Sequence, residues 1–278
     1  MPDPLPSSQL GGFSPSPPLL EALNHHLSFK SGDSVAVALS GGADSAMLAV
    51  HAHLWASRRK VILHFFHIHH GLQAAADAWP AHCRALCAAL SVPLQVDYVQ
   101  VAPAASLEQA AREARYAAFT ARLGVGELLL TAQHRDDQAE TLLFRLLRGA
   151  GVQGLSAMPV SRALGAGQLV RPLLNCSRDE LLAYAREHKL SWIEDPSNAD
   201  ERFSRNYLRR QVMPALLRRW PQACANMARS AAHLNEAAQL LDELAQQDIA
   251  AAQVPSEFAW LPLANLALPA LRGLSEPR

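Results

Sequence analysis

Net charge is missing from this 278-residue chain, in which 25 lysines and arginines offset 25 aspartates and glutamates. With no global field, attraction to a nucleic acid has to come from local basic patches. Cysteine is scarce, and the four present have no paired spacing. That excludes a disulfide framework and suits a reducing, cytoplasmic compartment. No apolar run approaches the roughly 18 residues of a membrane-spanning helix. The N-terminus shows no basic stretch followed by an apolar one, so no secretory signal is expected. Apolar residues, by contrast, are plentiful: at half of the chain they can fill a sizeable core. The length suits one large domain and a smaller one.

The most informative stretch is residues 35–45, VAVALSGGADS. Five apolar, partly β-branched residues read as a buried parallel strand. Gly41 and Gly42 then permit a tight turn, and the apolar run from Ala46 to Val50 starts a buried helix. A strand, a glycine turn and a helix N-terminus together form a nest of N–H groups suited to phosphate, to which Ser40 and Ser45 add hydroxyls. Asp44 by itself could be a helix cap. Two glycines and two serines exceed what a cap requires. The loop holds no lysine, which sets it apart from the GxxxxGK phosphate loop.

Further strands are expected over 61–68, 94–99 and 127–132, with helices between them, as in right-handed βαβ units. Ligands in such folds lie at the carboxyl ends of the strands, which puts Ser40 and His67 on one edge. The run His67-Ile68-His69-His70 has no cysteine or carboxylate at structural zinc spacing, so a metal site is not expected there. Asp77 is placed to cap the next helix, whose stripe of Trp79, Cys83, Leu86, Cys87 and Leu90 turns both cysteines inward. Ser106 and Gln109 form a capping-box pattern before a helix carrying Arg112 and Arg115. These arginines read either as a solvated face or as binders of phosphate or carboxylate.

A second constellation follows the fourth strand: His134, Arg135, Asp136, Asp137 and Glu140 at the start of a helix. Capping needs one carboxylate; three acids with a histidine could also hold Mg²⁺ against phosphates or receive an ammonium group. Arg148 beside a glycine-rich turn is a candidate RNA-backbone contact, or part of a linker. Ser177 and Glu180 form another capping box. Asp195, Arg205 and Arg209 could bind substrate or form a structural ion network. From 222 to 254 there is neither proline nor glycine, and Met227, Leu234, Leu241, Leu244 and Ile249 approximate a helical seam. One helix of about 50 Å is expected there, at about 1.5 Å per residue.

SGGxDS after a strand resembles the phosphate loop of the ATP-pyrophosphatase (PP-loop) superfamily. Within it, HxHHGL at 67–72, AAREARY at 110–116, HxDDQAET at 134–141 and the stretches at 192–198 and 204–209 resemble the tRNA(Ile)-lysidine synthetases. The resemblance runs from about residue 35 to 214. It implies an α/β fold, a parallel sheet between helices with a smaller helical C-terminal part, and ATP-dependent ligation of L-lysine to C2 of the wobble cytidine of a CAU-anticodon isoleucine tRNA. Under it, residues 40–45 (Ser40, Gly41, Gly42, Ala43, Asp44, Ser45) with His67 and Ile68 would bind ATP. Asp44, His134, Asp136, Asp137 and Glu140 would be catalytic, with Asp44 and Asp136 on Mg²⁺ and Glu140 facing the lysine amine. Arg112, Arg115, Arg148 and Arg205 would bind substrate. The domains expected are a loose tail over 1–18, a catalytic domain over 19–214 and a helical recognition part over 215–278. In the longer members of the family the chain continues beyond that point. Thiolation, which in relatives typically uses reactive paired cysteines, is disfavoured. Another ATP-pyrophosphatase acting on tRNA or a small molecule, or a non-catalytic RNA-binding relative, are the alternatives.

Overall fold

The structure, a computed structural model, describes residues 16–27, 32–72, 74–101 and 107–252. Its centre is a six-stranded sheet in the order β3-β2-β1-β4-β6-β5. The strands are β1 (Ser34–Ala38), β2 (Ile62–His69), β3 (Leu94–Tyr98), β4 (Leu128–Leu130), β5 (Ser161–Leu164) and β6 (Gly167–Val170). All pairings are parallel except the antiparallel β5–β6 edge. β1 lies between β2 and β4, with Val37 beside both Phe65 and Leu130. The chain therefore leaves β1 to one side and later returns on the other. That switch point opens a crevice at the carboxyl ends of β1 and β4, where α/β sheets bind ligands.

Strand alternation sorts the core into two layers. Val35, Val37 and Phe65 face a cluster built from α1 (Pro17–His26), α2 (Ala43–Arg59), α3 (Trp79–Leu90) and α7 (Arg178–Glu187). Ala36, Phe66, Leu129 and Leu169 face the other way, onto Phe119 and Leu123 at the end of α4 (Leu107–Arg122). A third group of helices packs on one another: α5 (Arg135–Leu146), α6 (Val152–Leu155), α8 (Ser204–Tyr207), α9 (Met213–Arg219) and α10 (Ala223–Ala252). There α10 packs on α5 through Met227, Ala231 and Leu234. Among the described residues no helix is long and apolar enough to cross a membrane.

Several expectations need adjustment. The first helix begins at Pro17, inside the stretch read as a tail, because proline is preset for a first helical position. Asp77 does not cap α3; it lies in a 3₁₀ turn (Ala74–Ala78) and its carboxylate meets His69 Nε2 at 3.4 Å. Residues 170–174 are not an extended segment throughout, since β6 ends at Val170. The long helix is present, but its expected seam is only half used: Leu241 and Leu244 are 43% and 53% exposed. Ser106 and residues 1–15 and 253–278 lie outside the described residues.

Candidate active site

The loop after β1 turns at Gly41, whose φ of 91° is a backbone conformation that side-chain-bearing residues resist. A Cβ added there would stand 3.1 Å from Ile193 Cδ1 and 3.4 Å from Cys83 Sγ. The 192–195 segment presses on this turn, and Ile193 N–H donates to the Gly41 carbonyl at 2.9 Å. Gly42 then serves as N-cap of α2, leaving the first amides of the helix, at Ala43, Asp44 and Ser45, without intrahelical acceptors. Ser45 Oγ donates to the Gly42 carbonyl at 3.0 Å and accepts from Ser40 N–H at 3.1 Å, while Ser40 Oγ accepts from Gly42 N–H at 3.3 Å. The two hydroxyls thus brace the turn from inside.

This loop forms one wall of a cavity of about 350 Å³ at the switch point. Ser40, Gly42, Asp44, Ser45, His67, Ile68, Arg115 and Asp137 all line it, joined by residues to which the sequence reading gave no site role: Tyr116, Thr131, Gln133, Arg178 and Asn198. Tyr116 and Asn198 stand in quoted motifs without a role of their own, while Thr131, Gln133 and Arg178 are single polar or basic residues with no periodic signal. Gly41, Ala43, His134, Asp136, Glu140, Arg112, Arg148 and Arg205 lie outside the lining. Arg148 rests over the Phe144 ring, 5.2 Å from its centroid, and Arg112 over the Tyr116 ring at 4.8 Å.

His67 is 2% exposed and its Nδ1–H donates to the Leu39 carbonyl at 2.8 Å. Burial lowers its pKa, only partly offset by that bond, so the ring is neutral with Nε2 bare and unpaired. Asp44 is a second group with an unanswered valence: its Oδ1 is buried without a hydrogen-bond partner. Burial raises its pKa, against the pull of His134 and Arg178.

Across the cavity, α5 starts with a reciprocal cap. His134 Nδ1 accepts from Asp137 N–H at 3.3 Å, and Asp137 Oδ2 accepts from His134 N–H at 3.2 Å. His134 Nε2 lies 3.7 Å from Asp44 Oδ2 and 3.4 Å from Asp137 Oδ2, linking the two loops. Two of the acids point elsewhere. Asp136 Oδ2 accepts the Arg178 N–H at 2.9 Å, tying it to the start of α7. Glu140, 3% exposed, is held by two arginines: Arg209 Nε at 2.6 Å, Arg209 Nη2 at 2.8 Å and Arg205 Nε at 3.3 Å. In this arrangement Glu140 turns both oxygens to guanidinium groups rather than to the cavity. Arg209 lies on a π-helical turn (Leu208–Val212) that continues α8, so Arg205 and Arg209 converge on one carboxylate. Burial works against its charge, but the bonds to Glu140 and the nearby Asp137 win, and the Arg209 pKa is raised. Asp195, read as a possible member of this network, accepts from Ser197 N–H at 2.8 Å and caps a 3₁₀ turn (Pro196–Ala199).

A hard cation fits Asp44, with its orphaned carboxylate oxygen facing the phosphate-type loop, better than Asp136, whose oxygen is already engaged. No group of three histidines, cysteines or acids suited to holding a metal by themselves occurs among the described residues. Magnesium commonly needs only one or two carboxylates when phosphates supply the rest. The cysteines are buried, and burial pushes Cys83, Cys87 and Cys224 up to about 12 and Cys176 up to about 11. None is poised as a thiolate.

Comparison with known proteins places the fold and the family. The chain is 63% identical over 246 residues to the tRNA(Ile)-lysidine synthase of Pseudomonas fluorescens (strain Pf0-1), covering 87% of this chain and 55% of that protein. It is 48% identical over 245 residues to the protein of the same name from Coxiella burnetii (strain RSA 493 / Nine Mile phase I), covering 85% and 53%. The chain thus spans about half the length of the curated relatives it matches. Among solved structures, the U34-tRNA thiolase NcsA from Methanococcus maripaludis superposes with a TM-score of 0.63 over 78% of both chains at 15% identity, a likeness of fold alone. A family model described as the PP-loop domain matches residues 17–216, most of the chain, and on that match, with the glycine loop after β1 in place, the chain belongs to the PP-loop family.

Proposed function

We propose that this chain carries the ATP-dependent ligation of L-lysine to C2 of the wobble cytidine in a CAU-anticodon isoleucine tRNA. One observation carries the reading: the glycine loop after β1 and the acid–histidine cluster after β4 face each other across one cavity, with His134 3.7 Å from Asp44. Curated relatives named tRNA(Ile)-lysidine synthase support the choice of substrates.

The chemistry explains the parts. The C2 oxygen of cytidine is a poor leaving group, so it is first adenylated by ATP with release of pyrophosphate. The ε-amine of lysine then attacks C2 and AMP departs. Residues 40–45 hold the phosphates through the helix N-terminus and its free amides, stabilising charge that grows on the departing pyrophosphate. Asp44 would hold Mg²⁺, which neutralises charge on the phosphates when bound. His67 and Ile68, at the end of β2, lie where the adenosine half would rest. For lysine, Asp137 is the one acid of the α5 cluster that lines the cavity, its Oδ1 also accepting from Arg209 Nη2 at 3.0 Å. Glu140 acts behind it, fixing Arg205 and Arg209, a change from the amine contact expected of Glu140 from sequence. Asp137 can hold the ammonium and accept its proton as the amine becomes a nucleophile.

The test is mass spectrometry of unmodified isoleucine tRNA incubated with the protein, ATP and lysine. A mass gain matching lysine less water, absent without ATP, is expected. ATP turnover without any gain on the RNA, and with gain on a small acceptor instead, would move the chain to another PP-loop activity.

A further inference from the structure

Beyond the cavity wall, on the α4 side of the sheet, Tyr116 is surrounded by arginines from three elements. The Arg112 and Arg162 guanidinium carbons each lie 4.8 Å from its ring centroid, and Arg162 and Arg171 hydrogen-bond to its phenol. Arg171 is 2% exposed; its Nη1 donates to the Pro159 carbonyl at 2.6 Å, yet its Nε is buried with no partner. Arg145 and Arg115 add further positive charge beside Arg112. No carboxylate among the described residues pairs with any of these five. Arg205 and Arg209, by contrast, are matched to Glu140 and Asp137. Like charges gathered without a counter-ion, one of them buried with a free donor, call for an anion from outside. Tyr116 and Arg115 line the cavity, and Arg112, Arg162 and Arg171 stand behind Tyr116, outside the lining.

We propose that Arg112, Arg162 and Arg171, gathered around Tyr116, form a second phosphate subsite, separate from the glycine loop and occupied by a backbone phosphate of the RNA strand entering the cavity. Planar guanidinium forks suit the tetrahedral oxygens of a phosphodiester, and Arg112 and Arg162 can meet it from the surface with the buried Arg171 behind them. The nucleotide's own phosphates already have the amides of residues 43–45. The RNA assignment rests on the function proposed above; the anion subsite does not.

The variant is Arg162→Gln, on the β5 edge where the side chain is only partly covered, with a thermal melt to show that it folds. An anticodon stem-loop RNA is titrated at several salt concentrations, and ATP separately. Expected is a loss of RNA affinity of about tenfold and a salt slope shallower by about one, with ATP affinity within twofold of wild type. A purely structural arginine would not move the slope. Loss of ATP affinity with RNA binding intact would overturn the RNA source and give the subsite to the nucleotide. Unchanged binding of both would overturn the subsite. If wild-type protein bound ATP but no RNA, the proposed function would fail, and inorganic pyrophosphate titrated with the glycine loop already filled by ATP would decide the subsite: unaltered pyrophosphate affinity in the variant would end it.

Discussion

Single side chains carry the sharpest tests. Asp44 has a buried, unpartnered oxygen at a strand–helix junction, outside the packed core. Asp44→Ala should lower pyrophosphate release at least a hundredfold while shifting stability by less than about 1 kcal/mol. Steady-state pyrophosphate assays and a denaturant melt check both halves. Glu140 differs in kind, because its burial and two arginine partners make it structural as well as polar. Glu140→Gln strips the charge that holds Arg205 and Arg209 together. Allowing for the partial exposure of those arginines, a loss of at least about 2 kcal/mol in unfolding free energy is expected, read from urea midpoints. Sequence reading assigned Glu140 to the amine because it lies one helical turn beyond Asp136 and Asp137 and has the longer reach. The arginines that hold it are 65 and 69 residues away and cannot be inferred from helical position.

At the scale of elements, α2 joins the phosphate loop to the core and contains a pH-sensitive contact. His51 Nδ1–H donates to the Met47 carbonyl at 2.9 Å, and Nε2 accepts Ser16 N–H at 3.2 Å, which docks the start of α1. Burial lowers its pKa from 6.5 to about 4. Between those values the unfolded chain binds the extra proton and the folded one does not. The stability from neutral His51 is therefore complete above pH 6.5 and lost as pH falls towards 4, amounting to about 3 kcal/mol. Thermal midpoints should drop across that interval, and His51→Gln should flatten the slope. The turn before α2 is equally testable. Gly41→Ala combines a positive φ with a 3.1 Å approach to Ile193, so the loop must shift. Nucleotide affinity should fall at least tenfold, measured by calorimetry, with the global melt changed by about 1–2 kcal/mol.

For the whole molecule, the division of labour follows from what α10 covers. Its first half packs on α5, while Leu240, Leu241 and Leu244 in its second half are exposed. The chain also spans about half of the lysidine synthases it resembles. A sheet with an intact switch point should bind ATP unaided, whereas orienting a tRNA calls for more surface. The 278-residue chain should bind ATP normally and tRNA weakly, with tRNA affinity falling steeply as salt rises because arginine–phosphate contacts release counterions. Filter binding over a salt series checks this, and tight, salt-insensitive tRNA binding would contradict it.

Local chemistry made much of the architecture legible in advance. Buried apolar runs named β1, β2 and β3, the Gly41-Gly42 pair marked the turn, and the Ser177–Glu180 box marked the start of α7, because each is a property of neighbouring residues. The β5–β6 hairpin was not legible: four-residue strands leave too short a pattern, and only pairing beside β4 gives them their place. The candidate site divides the same way. The sequence by itself determined that a phosphate loop and an acidic cluster would end two strands of one parallel sheet. Only the tertiary structure decided which acids reach the cavity, which are consumed by a helix start or an arginine pair, and that Arg112, Arg162 and Arg171 meet at Tyr116. Those outcomes depend on contacts between distant segments, where burial and charge act through space rather than along the chain.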